Sequence, residues 1–95
     1  MARYIALLRF TAQGTKAIKE STKRAHKFDK AAKKSGVKIE GQYWTMGAYD
    51  GVLIIRADSE KKALHWLTEL AATGAVRTQT MRAFLDTEFD EILGK

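Results

Sequence analysis

The residues with the most chemistry in this 95-residue chain sit in one tetrapeptide, Gly47-Ala48-Tyr49-Asp50. A carboxylate beside a phenol is a candidate acid–base pair, with Asp50 as base or hydrogen-bond acceptor and Tyr49 as donor. A base of this kind needs a pKa raised by burial. The same residues also read as a turn: Gly47 takes a positive φ, Asp50 bonds the turn amides and Tyr49 packs on a sheet. Three arginines, Arg9, Arg56 and Arg82, lie in or at the ends of predicted strands. Converging on one face, they would bind an anionic ligand bidentately. Held apart, they would pair with Asp50, Glu40 or the acids of a second subunit. Tyr43 and Trp44 are adjacent in a predicted strand and so must point to opposite faces, as core or as the aromatic wall of an apolar site.

Other chemistry is sparse. His26 and His65 fall away from the apolar stripes of their helices, and neither has a second histidine or a cysteine at metal-ligand spacing. There is no Ser-His-Asp or Cys-His set in usable order and no phosphate loop. No metal and no cofactor are expected.

The elements that must position these residues follow from apolar periodicity. Arg3 to Phe10 is apolar on both sides, as a central strand would be. A helix follows, capped by a hydroxyl between Thr11 and Thr15 and stopped at Gly36. It carries Ile18, Ser21, Ala25, Phe28 and Ala32 on one face and Lys16, Lys19, Lys23, Lys27, Lys30 and Lys34 on the other. Strands over Lys38–Met46 and Tyr49–Arg56 are separated only by Gly47 and Ala48, the length of a tight hairpin. A second helix, capped by Asp58 or Ser59, turns Ala63, Leu64, Leu67, Leu70 and Ala71 to the core with Trp66 at the border, and ends before Gly74. A last strand, Val76 to Leu85, leads to a short amphipathic helix capped by Asp86 or Thr87. Two βαβ units with right-handed crossovers give one α+β domain over residues 1–95: a four-stranded antiparallel sheet of ferredoxin-like type with both helices on one face. The other face would be left apolar and open, so at least a homodimer is expected, packed sheet to sheet as a dimeric α/β barrel.

Charge sharpens the surface. The net charge is +6, from 17 basic and 11 acidic residues. Eight of the basic residues and two of the acidic ones fall between Lys16 and Lys34, so that segment accounts for the whole excess. A lysine face could bind an anionic polymer, but the residues are lysine rather than arginine and no aromatics are interleaved. A solvated face is the simpler reading, and nucleic acid is not expected as a partner. The apolar stretch near the N-terminus is too short to span a membrane, so no membrane partner is expected. The lack of cysteine suits a reducing cytoplasm.

The chain resembles the GYD family, named for a Gly-x-Tyr-Asp signature matched here by Gly47, Tyr49 and Asp50. Phe10-Thr11-Ala12-Gln13-Gly14 is similar to its Phe-Thr-x-x-Gly motif, and Gly74 to Thr78 to its Gly-x-x-Arg-Thr motif. Arg82-Ala83-Phe84 and Glu88-Phe89 match its close. The lysine density of the first helix is heavier than that pattern requires. The resemblance implies ferredoxin-like dimeric barrels and no particular activity. Three functions are then open: a small-molecule-binding or accessory module at the barrel mouth, a cofactor-independent enzyme by analogy with barrel-type monooxygenases, or an anionic-polymer binder. Candidate ligand contacts are Gly47, Tyr49, Asp50, Trp44, Arg9, Arg56 and Arg82.

Overall fold

The computed structural model describes residues 1–95. The first strand, β1 (Ala2–Phe10), lies inside a four-stranded antiparallel sheet, between β3 (Gly51–Ala57) and β4 (Val76–Ala83), with β2 (Val37–Trp44) on the far side of β3. The two most apolar runs of the sequence thus become the two central strands, each paired along both edges. The order β2-β3-β1-β4 is the ferredoxin-like arrangement expected of a βαββαβ chain.

Helices cover one face only. Along β3, Gly51, Leu53, Ile55 and Ala57 are buried, whereas Val52, Ile54 and Arg56 between them are half-exposed. The buried set meets Tyr4, Ala6 and Leu8 of β1 in register, and α2 (Ser21–Lys34) and α3 (Glu60–Ala72) lie over it. The molecule is a slab of 49 × 31 × 16 Å, thin enough for one sheet and one helical layer.

Four expectations about the elements need correcting. The first helix is not continuous. One turn, α1 (Ala12–Lys16), is followed by a 3₁₀ turn at Ile18–Glu20 before α2 begins. Thr11 caps α1 by accepting the Gly14 amide at 3.1 Å, and Gly14 sits flat against Ala75. This anchoring fixes the direction of α1, while α2 must lie along the sheet, so the chain breaks at Ala17. The Ala17 carbonyl released at the break accepts from Arg24 Nη1 at 3.2 Å. Lys16 therefore closes α1 and Lys19 lies in the 3₁₀ turn, and only Lys23, Lys27, Lys30 and Lys34 share a face of α2. Ile18, expected on the apolar face, is 49% exposed.

The connection between β2 and β3 runs from Thr45 to Asp50 and is longer than a tight hairpin. Gly47 does take a positive φ, +114°, in open space. The buried stripe of α3 is Ala63, Trp66 and Leu70, with Leu64 68% exposed. The residues of the sheet and α2 in the same core, Ala6, Ala32 and Ala57, are small, and an indole fills that space better than a leucine. Trp66 packs edge-to-face on Phe28, with centroids 6.1 Å apart. The last strand ends at Ala83, and α4 (Asp86–Ile92) is capped one residue early: Glu88 reaches back to accept the Leu85 amide at 2.9 Å.

A methyl on Gly14 would lie 1.9 Å from the Ala75 carbonyl oxygen, a backbone atom that cannot swing aside. Gly14→Ala should cost about 1–3 kcal/mol as an overpacking change. At this size that lowers the thermal midpoint by roughly 5–20 °C, measurable by circular dichroism.

Candidate functional site

The tetrapeptide is held against the end of β1. The Asp50 amide donates to Leu8 O at 2.8 Å, and Asp50 Oδ2 accepts from the Phe10 amide at 2.8 Å. Asp50 was expected to bond the amides of its own turn. It bonds a different strand instead, and takes over pairing with β1 where β3 begins. The turn is closed by Thr45, whose amide donates to Asp50 O at 2.9 Å and whose hydroxyl donates to Tyr49 O at 2.6 Å. Immediately beyond Phe10, the Thr11 amide and hydroxyl donate to Ala75 O at 3.1 Å and Gly74 O at 2.5 Å. Residues 8–11 are thus gripped from both sides.

Tyr49 leans over the open face of the sheet. Its hydroxyl donates to Gln79 Oε1 at 2.9 Å, and the Arg9 guanidinium lies 4.7 Å from its ring centroid. Arg9 Nε also donates to Ala48 O at 3.0 Å. Phenol and carboxylate therefore each have a partner of their own.

The three arginines do not converge. Arg9 is at one end of the open face and Arg56 is at the other, beside Arg3 in the ladder. Arg82 faces the helical side next to Tyr4, with its guanidinium 4.3 Å from the Phe84 centroid and donating to Arg3 O at 3.2 Å. The Arg56 end forms a cluster that hinges on Glu40. Glu40 is the extra residue of a β-bulge between Ile39 and Gly41, and the bulge turns its side chain onto the open face. Its carboxylate accepts a fork from Arg3, Nε at 2.6 Å and Nη2 at 3.3 Å. Arg56 Nε lies 3.1 Å away on the other side, placed for charge but not aligned for a hydrogen bond. The hydrogen bond from Arg3 is the main reason the Glu40 carboxyl is held below its ordinary range. Partial desolvation opposes this, and the charges of Arg3, Arg56 and Lys38 add to it.

Tyr43 and Trp44 point to opposite faces as expected. Tyr43 is on the open side, and the Trp44 indole crosses towards α2, where its Nε1 donates to Ser21 Oγ at 2.9 Å. Trp44 and Asp50 both line a cavity of about 80 Å³ between the sheet and the helices, with Leu8, Phe28, Leu53 and Trp66 among its walls. Sequence reasoning placed any ligand on the open face and missed this cavity. It also missed Arg24, which lines the cavity and is held by the Ala17 carbonyl at the helix break.

The Gly-x-Tyr-Asp turn, the Phe-Thr-x-x-Gly start of α1 and the Gly-x-x-Arg-Thr start of β4 all meet at the end of β1. The model of the GYD domain matches residues 4–93. The chain belongs to the GYD domain family. A relative from Thermus thermophilus, named glutamine synthetase and cystathionine beta-lyase binding protein, is 26% identical over 84 residues, covering 87% of this chain and 88% of its own. Among solved structures, FFRP-DM1 is similar with a TM-score of 0.64 and 20% identity, over 88% of this chain and 100% of its own. A hypothetical protein from Pyrococcus horikoshii, PHS023, is similar with a TM-score of 0.59 and 18% identity, over 90% and 93%. At these identities the two structures speak for the fold.

Two predictions follow from this geometry. Asp50→Ala removes the acceptor of the Phe10 amide and should lower stability by about 1–3 kcal/mol in urea. Asp50→Asn keeps an oxygen there and should cost less than half as much. For Glu40, a folded pKa below the unfolded value means that its contribution is fully present above the unfolded pKa. It is lost as pH falls through that value and on to the depressed one. The difference in thermal midpoint between the wild type and Glu40→Gln should be steady near neutrality and shrink from about pH 4 downward.

Proposed function

We propose that this GYD domain is a non-catalytic accessory module that works as a homodimer and engages a protein partner. The observation that carries this reading is the uncovered sheet face. Ile5, Leu7, Val52 and Ile54 lie at its centre with no helix above them. The chain exposes 6647 Å². A folded monomer of its mass, 10.7 kDa, exposes about 5,500 Å² by the usual scaling. The excess is of the order that one partner buries in a standard interface, about 800 Å².

The occupant that fits this face is a second copy. Helix α4 carries Asp86, Glu88, Asp90 and Glu91 and exposes Phe89 and Ile92. At the other end of the sheet Arg9 and Arg77 stand directly opposite each other, and neither has an ion pair within the chain. Facing like charges destabilise a ladder, and an acidic, apolar helix from a two-fold-related copy would relieve them. The protein partner is supported by the relative named as a binding protein for two enzymes. The enzyme reading is weaker because Asp50 and Tyr49 are each committed to a structural bond and Glu40 is held ionised. The polymer reading is weaker because the helix break divides the lysine band.

Sedimentation or light scattering at micromolar concentration should give twice the chain mass of 10.7 kDa. Ile54→Asp should give the monomer, and Arg77→Glu should weaken pairing by about tenfold through loss of a close charge contact. Wild-type protein running at one chain mass would overturn the proposal.

A further inference from the structure

We propose that the cavity between the sheet and the helices is a binding site for a short apolar carboxylate, with Arg24 as its charge partner. Most of the cavity lining lies on the helical side of the sheet, with only Tyr43 and Val52 drawn from positions on the face assigned to pairing, so the site is expected to stand or fall independently of the dimer.

Three features define the ligand. The volume of about 80 Å³ is roughly half of an engineered cavity that accepts benzene, about 150 Å³. The body is therefore a short aliphatic chain rather than a ring. The walls are apolar where they are deepest, with Leu8, Phe28, Leu53 and Leu70. Trp66 is 2% exposed, and its Nε1–H has no acceptor in the protein. Native folds rarely leave a buried donor in that state.

The charges on the wall decide the sign. Arg24 and Asp50 are the charged side chains lining the cavity, and they do not pair with each other. Asp50 already accepts the Phe10 amide at 2.8 Å. Arg24 is half-buried, and the one bond it makes is to a neutral carbonyl, Ala17 O at 3.2 Å. A guanidinium with its remaining donors free beside an apolar cavity is suited to a carboxylate, which accepts from two of its nitrogens at once. Access runs past Trp44, which is 47% exposed on the rim and tied to Ser21 by a single exposed hydrogen bond.

The chain has two tryptophans, and both line this cavity, so tryptophan fluorescence reports on it. Titration of the full chain with sodium isobutyrate, against sodium chloride at matched ionic strength, should give a saturable change. Isobutyramide, nearly the same shape without the charge, should bind at least about tenfold more weakly, the size of a lost charge-assisted hydrogen bond. Arg24→Gln should weaken isobutyrate by a similar factor and leave the amide unchanged. Ala25→Leu, which fills the cavity from α2, should abolish binding of both with no loss of thermal midpoint. A signal in the wild type that never saturates would overturn the site. Arg24→Gln binding isobutyrate as tightly as wild type would overturn the carboxylate assignment. Ile54→Asp should bind as the wild type does, and a loss there would show that the site belongs to the dimer and overturn its independence.

Discussion

The end of β1 is the constraint on which the rest of this fold depends. Over four residues, Leu8 to Thr11, the chain leaves a central strand and must begin a helix, and each step exposes backbone groups that the sheet no longer satisfies. Asp50 meets the Phe10 amide from one side, and the carbonyls of Gly74 and Ala75 receive the hydroxyl and amide of Thr11 from the other. Segments about 40 and 63 residues away in sequence are thereby tied to one point. The direction of α1, the break at Ala17 and the placing of Arg24 are all consequences of that tie.

The same constraint bears on the most reactive-looking residues, Tyr49 and Asp50. A carboxylate serving as base must be free to accept a proton from substrate. Asp50 spends an oxygen on a backbone amide whose loss would open the strand end. Tyr49 is fixed by Gln79 and Arg9 on the other face of the sheet. The two are neighbours in sequence but their side chains serve opposite faces. At the far end of the open face, the bulge at Glu40 does comparable work for two arginines, which stand side by side on β1 and β3 and would otherwise repel.

Much of this was legible in the sequence, and where legibility stopped has physical causes. The central positions of β1 and β3 could be read because both are near-continuous apolar runs, one set of side chains under the helices and the other on the uncovered face. The cap at Ser59 and the positive φ at Gly47 could be read because few residue types serve there. The helix break could not, because helical periodicity continues across Ala17 and the cause lies in Ala75, distant in sequence. The orientation of α3 was misjudged because Leu64 and Trp66 are both apolar. Only the small residues opposite them, Ala6, Ala32 and Ala57, decide which one fits. Glu40 paired with Arg56, as one reading of the arginines held, but the bulge that brings it there leaves no local signature. The cavity was invisible because its walls come from segments far apart in sequence, Leu8, Phe28, Leu53 and Trp66 among them.

That shortage of volume links the two faces. Only 12 of 95 residues are buried, and Ile55 is the one large side chain that is fully enclosed. A core built on Ala6, Ala32, Ala57 and Ala63 brings the helices close to the sheet where those residues lie. Further along, near Leu8 and Phe10, α2 and α3 bridge the sheet on Phe28 and Trp66 and leave a gap. Small domains already bury too little surface to be robust, and a gap forfeits dispersion contacts on each of its walls. The monomer therefore has two unmet demands, an apolar sheet face and an unfilled interior. Both touch β1, whose alternate residues, Leu7 and Leu8, belong to one demand each. Because side chains alternate along a strand, covering the open face leaves most of the cavity wall free, with Tyr43 and Val52 the shared positions. On the proposed reading, the fold would take a protein partner and a small ligand at once, largely on opposite sides of a single strand.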